Sequence, residues 1–465
     1  MNEPAWSELV LEGFFAPEDA GNYHNVPFDM PAGIGRLSVS YQYDTQIAAD
    51  IHLTGGNTLD IGIFDQRGAD FLGEGFRGWS GSDRDQFFVG FDEATPGYIP
   101  GPLEAGRWHI CLGFYKSAPD GCHYQVTLRF WFSDEDLVSP DFPPMLTIEN
   151  SRSTLPTRVD GWYRGELHCH SQHSDGDSTP ADLISTAHQF CLDFIAITDH
   201  NSLSHLVAQA KLEPPPIVLI PGCEVTAYSG HWNVWGADSW IDFRVLSPDQ
   251  MRLAIHRAVE LGYLTSCNHP RTGGPPWLFT EITGQHCIEV WNGPWQIFNQ
   301  ESLDYWESRL QGGERLVAVG GSDTHFLKKP HIAQLGMPTN WIYCPEPPTA
   351  ASLLAGLRAG HVFVNDAPDG PQLYLQCGVA IMGDAVSRPS TESLAIQVRT
   401  VNSAGLRLEI HGATGLLAAT EILSDEATID MEIAVDNTPY FRAQLLEKDG
   451  NPDIIKALSN PIYIE

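Results

Sequence analysis

Phe194-Ile-Ala-Ile-Thr-Asp-His-Asn201 is an apolar run that stops at an acid and an imidazole. A short continuous apolar run reads as a strand buried on both faces, as in a parallel sheet. Its two ionisable residues then sit at the strand's C-terminal edge. Four further runs have the same character: Ile217–Ile220, Tyr263–Cys267, Cys287–Trp291 and Leu316–Gly320. Helix signals lie between some of them. Thr179-Pro180 and Ser247-Pro248 each offer an N-cap followed by proline at the first helical position. Gly262 closes the second of these helices, and a third runs from Thr349 to Gly360. Alternating strands and helices predict an α/β architecture, either a parallel barrel or a doubly wound sheet.

Outward from this centre the pattern changes. Leu37–Tyr43, Thr58–Phe64 and Tyr124–Phe132 alternate apolar and polar side chains, so residues 1–135 are expected to form a β-sandwich. Residues 136–160 carry Pro140, Pro143, Pro144 and Pro156 and read as a linker. The strand-helix segment covers residues 161–370. Alternation returns after residue 371, as in Leu394–Arg399, and predicts a small C-terminal β domain over 371–465.

The chain has 465 residues, 42% hydrophobic and 18% charged, and a net charge of −33. These values fit a folded chain of several domains. Such acidity argues against nucleic acid and against anionic membranes, because polyanion binding draws its affinity from basic surface. No apolar run is long enough to span a bilayer. Met1–Trp6 has neither a basic nor an apolar leader region. Nine irregularly spaced cysteines without a C-x-x-C pair argue against a disulfide framework and a zinc ribbon. Free thiols and the absent leader predict a cytoplasmic protein. Oligomeric state is left open.

Histidine is concentrated: twelve of the 18 lie between His168 and His331. His168-Cys-His170 places two imidazoles on one side of a strand end, and Asp175 follows in Ser-Asp-Gly. Asp199-His200, Glu224, His231, His269 and Asp323-Thr-His325 end or follow later runs. Residues at the C-terminal ends of barrel strands converge on one face, where active sites sit. Six histidines, two aspartates and a glutamate exceed what one ion takes, and suit two or three divalent ions. The neighbouring Cys169, Cys223 and Cys267 read as packed thiols. His188 and His256 read as helix-surface residues, and Trp232 and Trp235 as core.

In this order His-x-His, Ser-Asp-Gly, Thr-Asp-His-Asn, Gly-x-Glu-x-Thr, Gly-His-x-Asn, Asn-His-Pro and Gly-Ser-Asp-x-His resemble the PHP (polymerase and histidinol phosphatase) metallohydrolase domain. Glu-Val-Thr, Gly-His-Trp-Asn-Val-Trp-Gly, Glu-Val-Trp-Asn-Gly and Gly-Gly-Ser-Asp-Thr-His look most like its CehA/McbA-like branch. The resemblance implies a distorted (β/α)7 barrel with two or three divalent ions of zinc, manganese or iron. It implies His168, His170, Glu224 and Asp323 on one ion, with Glu224 bridging to a second held by His231 and His269. Asp175, His200 and His325 are implied for a third.

The function expected is hydrolysis of a small phosphate ester by a metal-bridging hydroxide. A carboxyl or carbamate ester is the alternative, and a non-catalytic binding protein the rival of another class. A serine hydrolase is disfavoured by the lack of a Gly-x-Ser-x-Gly elbow. Asp199 is expected to orient His200 or another ligand. Arg271, Lys328 and Lys329 are candidate clamps for an anionic group. Trp277, with Trp291 and Trp295, is a candidate wall for an apolar leaving group.

Overall fold

The computed structural model describes residues 6–133, 141–329, 331–390, 393–435, 438–447 and 454–465. The candidate linker 136–160 is therefore described from residue 141 onward. At the N-terminal side two four-stranded antiparallel sheets face each other. One has the order Trp6–Phe15, Cys122–Phe132, Ile34–Tyr43, Gln86–Gly90. The other runs Asn22–Met30, Gly106–Lys116, Thr58–Phe64, Phe76–Gly81. Alternation along Ile34–Tyr43 sends Leu37 and Val39 inward, where they meet Ile61, Ile63, Trp108 and Leu128. The second sheet is covered on both faces: Phe64, Phe76, Trp79 and Cys111 turn outward into a core shared with the central segment.

The central segment is richer in strands than a regular (β/α)7 barrel. Trp162–Glu166, Phe194–Ile195 and Val218–Leu219 are parallel neighbours, and so are Leu264–Cys267, Cys287–Asn292 and Val317–Gly321. Between Val218–Leu219 and the next strand no helix intervenes. Gly222–Ala227 and Gly230–Trp235 form an antiparallel hairpin, whose second strand pairs antiparallel with Leu264–Cys267. Only Tyr228 and Ser229 connect the hairpin strands, and a link that short joins antiparallel neighbours only. Thr339–Tyr343 also departs from the expected alternation, lying antiparallel between Trp162–Glu166 and Val362–Asn365. An isolated parallel bridge at Cys169–Thr324 brings strand ends of the two triplets together, and one at His200–Glu224 ties the first triplet to the hairpin.

Helices Pro180–Gln189, Pro248–Glu260 and Ala350–Arg358 start where their caps foretell. Thr179 accepts from the Asp182 amide, Ser247 from that of Gln250, and Thr349 from that of Ser352. Gly262 and Gly360 follow the second and third with positive φ of 87° and 76°. Among the described residues no helix is long and apolar enough to cross a membrane.

Beyond residue 370 the sheet does not stop. Val362–Asn365 pairs with Ile454–Ser459, which continues through Tyr440–Glu447 to Arg407–Gly412 and Gly415–Glu421. A four-stranded sheet containing Gln372–Cys377, Ser393–Val401 and Glu426–Ala434 packs on it around Phe363, Leu375, Val398 and Phe441.

Candidate metal centre

His168 and His170 leave the end of the strand Trp162–Glu166, and Glu224 sits on the first strand of the hairpin. Glu224 is the hub. Its Oε2 lies 2.9 Å from His200 Nδ1, 3.4 Å from His168 Nε2 and 3.5 Å from His170 Nε2. Its Oε1 lies 3.4 Å from both His231 Nδ1 and His269 Nε2. Asp323 Oδ1 is 3.0 Å from His170 Nε2 and 3.4 Å from His168 Nε2. Asp175 Oδ1 is 3.3 Å from His325 Nε2 and 3.6 Å from His200 Nε2. All nine ligand candidates thus come together from a span of more than a hundred and fifty residues. His170, Asp175, His200 and His325 hold ligand atoms within 4.8 Å of one another, as do His168, His170 and Glu224, and His200, Glu224 and His231.

The donor set fits divalent cations. His168 Nε2, His170 Nδ1 and Glu224 Oε2 are buried without a hydrogen-bond partner. Buried polar atoms are almost always paired, so three orphans in one cluster suit residues that share a cation. His168 is also presented correctly. Its Nδ1 lies 2.8 Å from Glu289 Oε1, an arrangement that puts the proton on Nδ1 and the lone pair on Nε2, facing Glu224 and Asp323. His325 is oriented the same way, its Nδ1 donating to the Asp323 carbonyl at 2.9 Å.

The electrostatics follow from crowding nine such groups. Burial disfavours a charged His168 ring, but the Glu289, Asp323 and Glu224 carboxylates hold its pKa well above the usual value. Burial is likewise outweighed at His200, which Asp175 and Glu224 raise to about 9. At His170 burial wins, reinforced by His325 and His200, and the pKa falls to about 4. Against burial, the surrounding imidazoles lower Glu224 and Asp323 well below the carboxylate range and Asp175 to about 2.

Several supporting residues went unmarked in the sequence. Glu289 faces His168 through one oxygen; the other accepts the His269 amide at 3.0 Å and Asn292 Nδ2 at 3.1 Å. Glu166 accepts the His168 and Ser322 amides on Oε1 and the Gly336 amide on Oε2, joining the His168 and Asp323 strand ends. Asn268 donates to Glu224 Oε1 at 2.9 Å. The signal was available: an acid or amide inside an otherwise apolar strand is costly unless something binds it. Backbone also bends to the site. His269, Asp323 and Asn201 have φ of 30°, 53° and 54°, left-handed values that cost about 1–3 kcal/mol each and cluster at functional sites. Gly321 has no substitute, because a Cβ there would overlap Glu289 Oε1 and the His168 Cβ.

The remaining candidates are placed differently. Asp199 turns away from His200. Its buried carboxylate accepts the Ser171 amide at 2.7 Å, the Ser171 hydroxyl at 2.6 Å and the Ser174 hydroxyl at 2.7 Å, and lies 3.2 Å from His205 Nδ1. It organises the turn after His170. Arg271 stands behind the ligands, donating to Asn292 Oδ1 at 2.7 Å, and Asn292 Nδ2 reaches Asp323 Oδ2 at 3.3 Å. The Lys328 amine is spent on the Asp177 carbonyl, 2.7 Å away, and the Lys329 amine lies over the Phe326 ring. Trp277 is buried, its indole N–H donating to the Phe279 carbonyl at 3.0 Å; it is loop core rather than a cavity wall. Cys169, Cys223 and Cys267 are buried thiols whose pKa values burial pushes up.

Residues 166–267 match the PHP domain family. This stretch carries six of the nine ligand candidates, His168 to His231. Among curated proteins none matches the chain. Among solved structures, a two-domain protein from Bacteroides vulgatus containing a predicted PHP-like metal-dependent phosphoesterase is 15% identical. That likeness covers 63% of this chain and 93% of the other at a TM-score of 0.35. An amidohydrolase from Chromobacterium violaceum with bound sulfate and no metal is 15% identical, covering 44% and 97%, with a TM-score of 0.27.

Proposed function

We propose that this chain is a metal-dependent hydrolase that cleaves a small phosphate ester. The observation that carries the reading is the ring of nitrogen and oxygen donors around Glu224, with His168 Nε2, His170 Nδ1 and Glu224 Oε2 buried and unpartnered. His168, His170, Glu224 and Asp323 would hold one ion, Glu224, His231 and His269 a second, and Asp175, His200 and His325 a third. Divalent ions supply Lewis acidity toward the ester oxygen and make water acidic enough to attack at neutral pH. Glu289, Glu166 and Asn268 fix the ligands before substrate arrives, so little reorganisation is left for the reaction. The match at residues 166–267 supports a PHP-type reading of the 161–370 segment, with its strand ends meeting at Cys169–Thr324 and His200–Glu224, and the motif wording supports the CehA/McbA-like branch.

A second reading keeps the ligands and changes the substrate to a carboxyl or carbamate ester. One observation favours it: the Lys328 amine is held at the Asp177 carbonyl and the Lys329 amine over the Phe326 ring, and neither contacts a ligand candidate. Purified protein, stripped and reloaded with zinc, manganese or iron, is to be assayed on phenyl phosphate, a phosphodiester, phenyl acetate and a phenyl carbamate. At least two ions per chain and metal-dependent phosphate release are expected. Fewer than two ions, or turnover of carboxyl and carbamoyl esters alone, defeats the phosphoesterase reading.

A further inference from the structure

The metal ligands form only the floor of their cavity. His200, His231 and Asp175 open onto a space of about 680 Å3, a usual size for a small-molecule site. Its other wall comes from the N-terminal sandwich, sixty or more residues away in sequence: Ile47, Ile51, Trp79, Ser82, Asp83 and Tyr115.

This wall is fixed in place. The Tyr228 hydroxyl donates to Asp60 Oδ2 at 2.7 Å, and Tyr228 stacks on Tyr23 with ring centroids 4.8 Å apart and planes 11° apart. Ser202 Oγ donates to the Gly97 carbonyl at 3.0 Å, and the Gly97 amide donates to Ser204 Oγ at 2.9 Å. Arg84 donates to the Gln172 carbonyl at 2.5 Å, on the turn that follows His170. The loop bearing Ile47 and Ile51 is held by the Lys116 amine, which donates to the carbonyls of Ala48, Asp50 and Leu53. Contacts this numerous and this buried make a permanent face rather than a tethered module.

The chemistry of the wall is one-sided. Ile47, Ala48, Ala49 and Ile51 stand opposite Pro275 and Pro276. The carboxylates lining the cavity are Asp60, Asp83 and Asp175, with the His200 and His231 rings at the floor, and among the described residues no lysine or arginine lines it. Asp60 is buried, and burial raises its pKa to about 6 even with the Tyr228 hydrogen bond. A substrate's reacting group is compensated at the floor. Away from the floor a further anionic group would meet Asp60 and Asp83 with only Arg84, 3.6 Å from Asp83 Oδ2, to offset them, whereas an apolar ring would bury Ile47 and Ile51.

We propose that the N-terminal sandwich is the specificity wall of the metal site, and that it selects esters whose leaving group is uncharged and apolar. Leaving groups bearing a carboxylate or a second phosphate are excluded. This rests on the hydrolase reading above.

The test pairs phenyl with 4-carboxyphenyl compounds on the metal-loaded protein. Binding of phenylphosphonate and 4-carboxyphenylphosphonate is measured by calorimetry; kcat/KM is measured for the matching phosphates and acetates. The parent protein is expected to prefer the uncharged member by about tenfold or more in binding and in turnover. Ile51→Arg, which sets a cation on the wall, is expected to narrow that preference about tenfold. Leu423→Arg, an exposed site outside the cavity, should leave it as it was. Equal treatment of both members by the parent overturns the proposal. So does an unchanged preference in Ile51→Arg at parental melting temperature and metal content. Absence of turnover with every ester defeats the hydrolase reading, while the phosphonate pair still decides the wall; binding of neither phosphonate defeats the wall too.

Discussion

Glu289→Gln isolates the contribution of one residue that touches no substrate. Glu289 is 2% exposed and serves three donors: His168 Nδ1 at 2.8 Å, the His269 amide at 3.0 Å and Asn292 Nδ2 at 3.1 Å. Glutamine has nearly the same shape but only one accepting oxygen. If that oxygen faces His168, the new amide N–H group confronts the His269 amide and Asn292, and both lose their acceptor. If it faces the other way, an N–H group meets His168 Nδ1. The ring must then carry its proton on Nε2, the atom aimed at Glu224 and Asp323. Either outcome damages the ligand set. Removing such a carboxylate partner of a ligating histidine typically weakens metal binding about 10- to 100-fold, or about 1.4–2.7 kcal/mol. Competition against a chromophoric chelator measures this directly on folded protein. Zinc affinity within twofold of the parent, at an unchanged melting temperature, would refute the role assigned to Glu289.

Metal uptake should release protons. His200, raised to about 9, and His168, held well above its usual value, carry protons at pH 7 that an ion must displace. Calorimetry in buffers of different ionisation enthalpy should show release of one to two protons per chain; no buffer dependence would contradict it. The same shift has a stability consequence for metal-stripped protein. A folded pKa raised from 6.5 to about 9 stabilises fully below pH 6.5 and loses that contribution as pH rises through 9, so the melting temperature should fall over that window. A flat profile would show that His200 is not held protonated. Gly321→Ala should cost several kcal/mol or metal binding, because its methyl must displace Glu289 or His168. Chemical denaturation together with metal analysis checks both, and a variant normal in each would refute the close approach.

The ligands were legible because their chemistry leaves few options. Imidazole and carboxylate at apolar strand ends have no cheaper explanation when they recur in register with the strands, and geometry at strand ends makes sequence-distant motifs converge. Helix starts at Thr179, Ser247 and Thr349 were legible for a similar reason, since each cap is satisfied within three residues. What escaped depends on contacts no local pattern encodes. Regular alternation failed at Gly222–Trp235, where a two-residue link converts a parallel crossover into a hairpin. Asp199 and Glu289 illustrate the limit within the site. Both are buried acids, but only Asp199 adjoins a histidine motif in sequence, and that spacing made it the candidate orienting residue. Strand direction decided otherwise: Asp199 faces Ser171 and Ser174, while Glu289 arrives from a strand about 120 residues after His168 to hold its Nδ1. The cavity wall shows the same limit at larger scale. An apolar wall was foreseen at Trp277, inside the metal-binding segment, yet Ile47 and Ile51 of the sandwich provide it. Alternation along Leu37–Tyr43 and Thr58–Phe64 promised a sandwich core, and nothing within residues 1–135 marks which loop will face another part of the chain. Sequence therefore locates the candidate metal cluster, because metal ligands must be ionisable and few residue types qualify. Selectivity is set by which surfaces dock, and that emerges only when the sandwich and the metal-binding segment share one core.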